Sequence, residues 1–279
     1  MTPLVFTLVV FGISLAAGLL GSLLGLGGGL VVVPALTLLL GIDIRFAIGA
    51  SIVSVIATSS GAAAAYVRER MSNLRVAMFL EVGTTTGALS GAYLAGHVHT
   101  RWLFMIFGLV LAFSALEMFR HRHSDQSPVP PDALADKLRL HDSYFDQSLN
   151  KDVAYRVTHA RLGLALMYVA GCVSGMLGIG SGSLKVTAMD LAMRMPIKVS
   201  TATSNFMIGV TAAASAGVYF ARGDINPFIA APVAAGVLVG AVGGSRLLGR
   251  IRNQLLRTVF IVVLLFIALQ MLWKGVHPS

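Results

Sequence analysis

A lysine inside an apolar run is the residue most in need of a reason. Lys185 lies three positions beyond the glycine cluster Gly178-Ile-Gly-Ser-Gly182, Asp190 follows five later, and Ser200, Thr201, Thr203, Ser204 and Asn205 come next. A cation, hydroxyls, an amide and glycine-freed backbone N–H groups are the donors an oxyanion requires. A helix that starts directly after such glycines adds the partial positive charge of its N-terminus. On a helix Thr201 and Asn205 are i,i+4 neighbours, with Ser200, Thr203 and Ser204 on an adjoining stripe. Asp190 is the candidate partner of Lys185 and the candidate coupling carboxylate. Glu81 and Glu117, nearer the ends of their apolar runs, read as interfacial.

Other chemistry is poorly provided for. Histidines 97, 99, 121, 123, 141, 159 and 277 fall in loops, a linker or the tail, which disfavours a metal site or a Ser–His nucleophile in an apolar interior. The single cysteine, Cys172, rules out an intramolecular disulfide, a CxxC pair and a Cys-cluster metal site. Ile179 interrupts the GxSG pattern of intramembrane proteases, and a pair of mid-membrane aspartates is absent. We expect no catalytic residue, no metal and no cofactor.

The elements that must position these groups are read from hydropathy. With 56% hydrophobic and 12% charged residues, and a mean hydropathy of +0.81, the chain is expected to lie in a lipid bilayer. The formal charge of +9 resides mainly in short loops between apolar runs, which signals topology rather than nucleic acid. Met1 to Val10 carries no basic residue, so the first run reads as mature protein and not a signal peptide.

Apolar runs fall at 4–24, 30–40, 46–67, 76–96 and 102–119, and again at 162–177, 184–193, 199–221, 227–248 and 255–273. Residues 17–118 align without a gap on 170–271, and roughly 30 positions are identical, several-fold above chance. The second run of each half has only about 11 residues, about 16 Å of helix or half a bilayer. Each is preceded by glycines, Gly25-Leu-Gly-Gly-Gly29 or Gly178-Ile-Gly-Ser-Gly182. The economical reading is a hairpin unwound at its glycines, followed by three crossings, so that each half crosses an odd number of times. With the termini outside, Lys and Arg then divide about four to one toward the cytoplasm; a single crossing per hairpin gives only about three to two.

The expected fold is therefore an all-α polytopic membrane protein. It has two inverted-topology repeats, each a Gly-broken helical hairpin plus three transmembrane helices. Residues 1–119 form the first repeat, 120–160 a cytoplasmic linker and 161–279 the second repeat. Pro128, Pro130 and Pro131 open the linker, and Asp132 to Leu140 suggests a short amphipathic helix.

Breaks at matching positions of inverted halves point to a midplane binding site. The proposed contacts are Gly27, Gly28, Gly29, Ser51, Gly180, Ser181, Gly182, Ser183, Lys185, Thr201, Ser204 and Asn205. Polar groups are concentrated in the second copy. Val32, Pro34 and Thr37 align with Lys185, Thr187 and Asp190, Gly28 with Ser181, and Ala47, Ile48, Ala50 and Ile52 with Ser200, Thr201, Thr203 and Asn205. Gly83, Gly87 and Gly91 read instead as helix-packing glycines.

The runs Ala170-Gly-Cys-Val-Ser-Gly-Met-Leu-Gly-Ile-Gly-Ser-Gly-Ser-Leu-Lys185, Met195-Pro-Ile-Lys-Val-Ser-Thr-Ala-Thr-Ser-Asn-Phe-Met-Ile-Gly-Val210 and Gly25-Leu-Gly-Gly-Gly-Leu-Val-Val-Val-Pro34 resemble the sulfite exporter TauE/SafE family of membrane permeases. Leu140-His-Asp-Ser-Tyr-Phe-Asp looks like one branch of it. The resemblance implies transport of sulfite or organosulfonate anions, usually outward. Ser181 departs from the family, which typically has a third glycine there.

The expected function is a secondary transporter, an exporter of a small oxyanion such as sulfite or an organosulfonate, working by alternating access as the inverted halves rock. An interior-negative membrane favours outward movement of an anion without a coupling ion. The expected location is a bacterial inner (plasma) membrane. The expected partners are the oxyanion and the lipid bilayer, with no nucleic acid, and a homo-oligomer is compatible with the sequence. The alternative is a non-transporting membrane partner of a sulfur-metabolism complex that docks through the linker.

Overall fold

The computed structural model describes residues 2–24, 28–68, 72–120, 130–146, 151–247 and 253–277. Helices dominate. The first half supplies α1 (Pro3–Leu24), short α2 (Gly29–Leu39), α3 (Ile44–Arg68), α4 (Leu74–His97) and α5 (Thr100–Arg120). The linker holds α6 (Ala133–Lys137), β1 (Asp142–Asp146) and β2 (Lys151–Tyr155). The second half supplies α7 (Ala160–Leu177), α8 (Gly182–Thr187), α9 (Ile197–Ala221), α10 (Pro227–Leu247) and α11 (Asn253–Val276). A π-helical turn, Ala188–Ala192, prolongs α8.

Local chemistry sets the ends. Asn73 caps α4, its Oδ1 accepting from Val76 N at 3.0 Å, and the repeat-related Asn226 accepts from Phe228 N at 3.0 Å. Pro227 opens α10, where its missing N–H costs nothing. The second break is fully drawn. Gly178 ends α7 at φ +65°, Gly180 follows at +73°, and Ser181 adopts the left-handed region at +43° ahead of α8. Two glycines and a serine thus turn the chain back at a cost only glycine largely avoids. Of the first break, residues 25–27 lie outside the described residues.

Packing crosses between the halves. α1 lies along α10 and α7 along α4; α3 meets α9, and α5 meets α11. α10 also packs on α3, and α4 on α9. Exchanging the halves leaves this pairing unchanged. Small residues make it possible, as close helix approach in lipid requires. A Cβ on Gly87 or Gly91 would overlap the carbonyl oxygen of Tyr168 or Cys172, and one on Gly171 or Gly175 that of Thr84 or Ala88. Gly18 stands likewise against Val237, and Gly240 against Leu15. Gly83, Gly87 and Gly91 are packing glycines, as expected.

Outward faces are apolar: Leu4, Leu8, Met78, Val82, Leu109, Phe220, Phe228 and Leu269 are all well exposed. So much exposed hydrocarbon suits a lipid solvent. Among the described residues, α1 and α7 are long and apolar enough to cross a membrane by themselves, while Gly29–Leu39 is one of five shorter apolar helices.

The linker departs from the all-α expectation. Beyond the anticipated short helix it forms an antiparallel hairpin, with Asp142 opposite Tyr155 and Tyr144 opposite Val153. The hairpin escapes hydropathy reading because it is short and half polar. Asp132 pins the linker to the second half: Oδ1 accepts from Leu134 N and Ala135 N at 2.8 and 3.3 Å, and Oδ2 from Ala160 N at 2.7 Å. The Ala160 hydrogen bond, with smaller help from the α6 amides, holds the carboxyl below its ordinary range against a desolvation cost. Asn73 ties the far side, donating from Nδ2 to Leu140 O at 2.9 Å and Tyr155 Oη at 2.7 Å. Burial pushes the Tyr155 phenol above its usual range.

Candidate functional site

The second break and the first short arm meet in the middle of the molecule. A Cβ on Gly29 would lie 3.1 Å from Gly178 O and 2.6 Å from Ser51 Oγ, and Ser51 Oγ itself donates to Gly178 O at 2.8 Å. A Cβ on Gly180 would reach Val55 of α3 at 3.2 Å and Ile208 of α9 at 2.8 Å. Both halves therefore enclose the unwound segment. Ser204 Oγ donates to Gly182 O at 3.2 Å, so the equivalent serines of α3 and α9 both hold backbone carbonyls of the break.

Ser181 is fully buried at the turn, and its hydroxyl has no partner among the described residues. The Ser200 hydroxyl is in the same condition. Buried polar atoms normally find a partner, which makes the bare hydroxyl at the turn an exception. Thr203 is already engaged, accepting from Asn73 N at 3.1 Å. Thr201 and Asn205 are half-buried, on the stripe of α9 adjoining the fully buried Ser200, Thr203 and Ser204. Gly28 and Gly182 are buried at the starts of α2 and α8. Gly27 and the side chain of Ser183 lie outside what is described.

Lys185 is fully buried, one turn into α8. Its Nζ donates to Thr211 Oγ1 at 2.6 Å. Thr211 Oγ1 lies 2.8 Å from both Glu81 Oε1 and Met207 O, either of which can take its one proton. Thr85 Oγ1 donates to Glu81 Oε1 at 3.1 Å. Glu81 Oε2 is buried and without a partner among the described residues.

Asp190, expected as the partner of Lys185, is half-buried on the π turn, and through a hydrogen-bonded hydroxyl Lys185 also reaches a second carboxylate, Glu81. Glu81, read as interfacial, is only 9% exposed, because α4 packs between α7 and α9 and turns this face inward. Reading the second half alone misses Glu81, which the first half supplies; Thr211 lies in the second half itself and is missed too. The signals available were a carboxylate within the run 76–96 and the alignment of Thr58 with Thr211.

A polytopic helical protein with a broken, polar-lined centre and lipid-compatible flanks is a membrane transporter by architecture. A family model described as "Sulfite exporter TauE/SafE" matches residues 10–271. The chain belongs to that family of integral membrane proteins. It is similar to the "Probable membrane transporter protein YunE" of Bacillus subtilis (strain 168), 28% identical over 96% of this chain and 97% of that protein. A "Probable membrane transporter protein" of Xylella fastidiosa (strain 9a5c) is 27% identical over 93% of this chain and 94% of its own length. No solved structure matches.

Proposed function

We propose that this membrane transporter carries a small oxyanion such as sulfite or an organosulfonate outward across the bacterial inner membrane. One observation carries the reading: a fully buried lysine stands one turn beyond an unwound segment whose Ser181 hydroxyl is buried and unclaimed. Glu81 offsets the lysine through Thr211, and the lysine's remaining N–H protons with the bare Ser181 hydroxyl define where an anion would sit. Backbone N–H groups at Gly180 and Gly182, with Ser181 and Lys185, are the ligands we assign; Ser204 and Ser51 support the break from either half.

The two halves are read as oppositely oriented, with the termini outside and the linker on the cytoplasmic side. The moving parts are then not the sequence halves 1–119 and 161–279, because α1 is bonded face to face with α10 and α4 with α7. The packing favours rocking of α1–α3 with α10 against α7–α9 with α4. In the test, purified protein is melted in detergent with sulfite, methanesulfonate, chloride and no added anion, and sulfite efflux is followed from proteoliposomes. A ligand that binds only the folded state raises its melting temperature. We expect sulfite or methanesulfonate, but not chloride, to do so, and sulfite to leave loaded vesicles. Neither stabilisation nor efflux would overturn the assignment.

A further inference from the structure

We infer that Glu81 is a proton-binding site and that the anion crosses together with one proton. This rests on the oxyanion reading above and adds to it a coupling site that the sequence placed elsewhere. The geometry is a three-member chain within the bundle: Lys185 Nζ to Thr211 Oγ1 at 2.6 Å, and Thr211 Oγ1 to Glu81 Oε1 at 2.8 Å. Thr211 alone separates the ammonium from the carboxylate, so the empty carrier is neutral at its centre.

An anion arriving at Lys185 breaks that balance. Lysine, carboxylate and anion together hold one uncompensated negative charge in a low-dielectric interior, which is strongly disfavoured. A proton on Glu81 restores neutrality. Glu81 Oε1 already takes hydrogen bonds from Thr211 and Thr85, whereas Oε2 is buried with no donor among the described residues and is where the proton adds. Anion and proton binding therefore assist one another, and by linkage each raises the affinity for the other equally.

From α9 Glu81 meets Thr211, from α8 the Lys185 ammonium beyond it, and from its own helix Thr85. On α7, Tyr168 gives its hydroxyl to Ser90, and Cys172 lies against Gly91, nearly three turns along α4. The loaded carrier holds one anion and one proton, so no net charge crosses. Export then runs on the combined concentration gradients of anion and proton rather than on the membrane voltage.

The experiment uses methanesulfonate, which remains a monoanion at all working pH values. In weakly buffered detergent solution, adding methanesulfonate to the wild-type protein should take up about one proton per bound anion. In proteoliposomes with clamped voltage, its efflux should carry protons out and should not respond to voltage. Anion affinity should fall as pH rises through the titration of the bound carboxyl, toward tenfold per unit, and Glu81→Gln should flatten that profile and abolish the proton uptake. Binding without proton uptake by the wild type, voltage-driven efflux, or an unchanged pH profile in Glu81→Gln would overturn the inference while leaving the oxyanion reading intact. Neither binding nor flux of methanesulfonate or sulfite would remove both. The wild-type measurements need no variant to fold.

Discussion

The same framework is built twice, and only one copy is charged. Around α8, the positions that matter are Lys185, Thr211 and Glu81; the repeat-related positions around α2 are Val32, Thr58 and Ala234. Val32 is buried in hydrocarbon, and Thr58 spends its hydroxyl within its own helix, on Ser54 O and Val55 O. At the far end of α2, Thr37 Oγ1 bonds Val33 O at 2.9 Å, and Lys274 Nζ takes the Thr37 carbonyl at 3.0 Å. Beside α2, Thr37 and Thr58 are satisfied by nearby carbonyls, whereas beside α8 the hydroxyl of Ser181 and one oxygen of Glu81 are unclaimed among the described residues. A protein can therefore keep two equivalent packing units and assign ligand chemistry to one.

The largest effect should come from making the charged copy resemble its counterpart. Lys185→Met is expected to abolish anion-dependent stabilisation and transport, since losing one member of a buried charge pair costs about 2–5 kcal/mol of binding. Val32→Met should leave both within a few-fold. Lys185→Met also strands Glu81 and should lower stability by about 3–5 kcal/mol, most of it recovered in the double variant Lys185→Met with Glu81→Ala, which stays transport-dead. A double variant no more stable than the single one would show that the pair does not act as a unit.

Backbone changes at the turns come next. Gly178→Ala combines a positive φ with a Cβ 2.8 Å from Ile48 O and should cost about 1–3 kcal/mol. Gly41→Ala, at the exit of α2, has φ +64° but open space around it, so only about 1 kcal/mol is expected. Equal melting-temperature losses would contradict the comparison. The two serines divide more finely. Ser51→Ala removes a buried hydrogen bond to Gly178 O and should cost about 1 kcal/mol of stability. Ser181→Ala removes none from the empty protein, so its loss should appear in anion affinity and hardly in melting.

The smallest effect belongs to the linker. Asp132→Ala should cost about 1 kcal/mol as a lost helix cap, with transport unchanged. Because the folded carboxyl titrates below its ordinary value, its contribution is complete above the unfolded value near 3.9 and disappears as pH falls through the folded one. The variant should therefore lose less melting temperature than wild type on acidification below about pH 4.

Much of this was legible in the residues. The repeat, the half-length arms and the breaks follow from apolar run lengths and glycine positions, which backbone physics constrains strongly. Lys185 announced itself because an ammonium in an apolar run is rare. Glu81 did not, since its burial depends on which helix covers α4, and that helix belongs to the other half. The α5–α11 pairing and the linker hairpin were hidden for a similar reason: short-range periodicity says which face is apolar, not what will cover it.

The criss-cross pairing also constrains how the chain can be made. When α1 to α5 have left the ribosome, the glycine faces of α1 and α4 have no mates, because α10 and α7 are still to be synthesised. The nascent first half must wait in the lipid with its closest-fitting surfaces open. Two separately translated pieces cut within the linker should therefore be unstable alone and rescue one another when produced in the same cell.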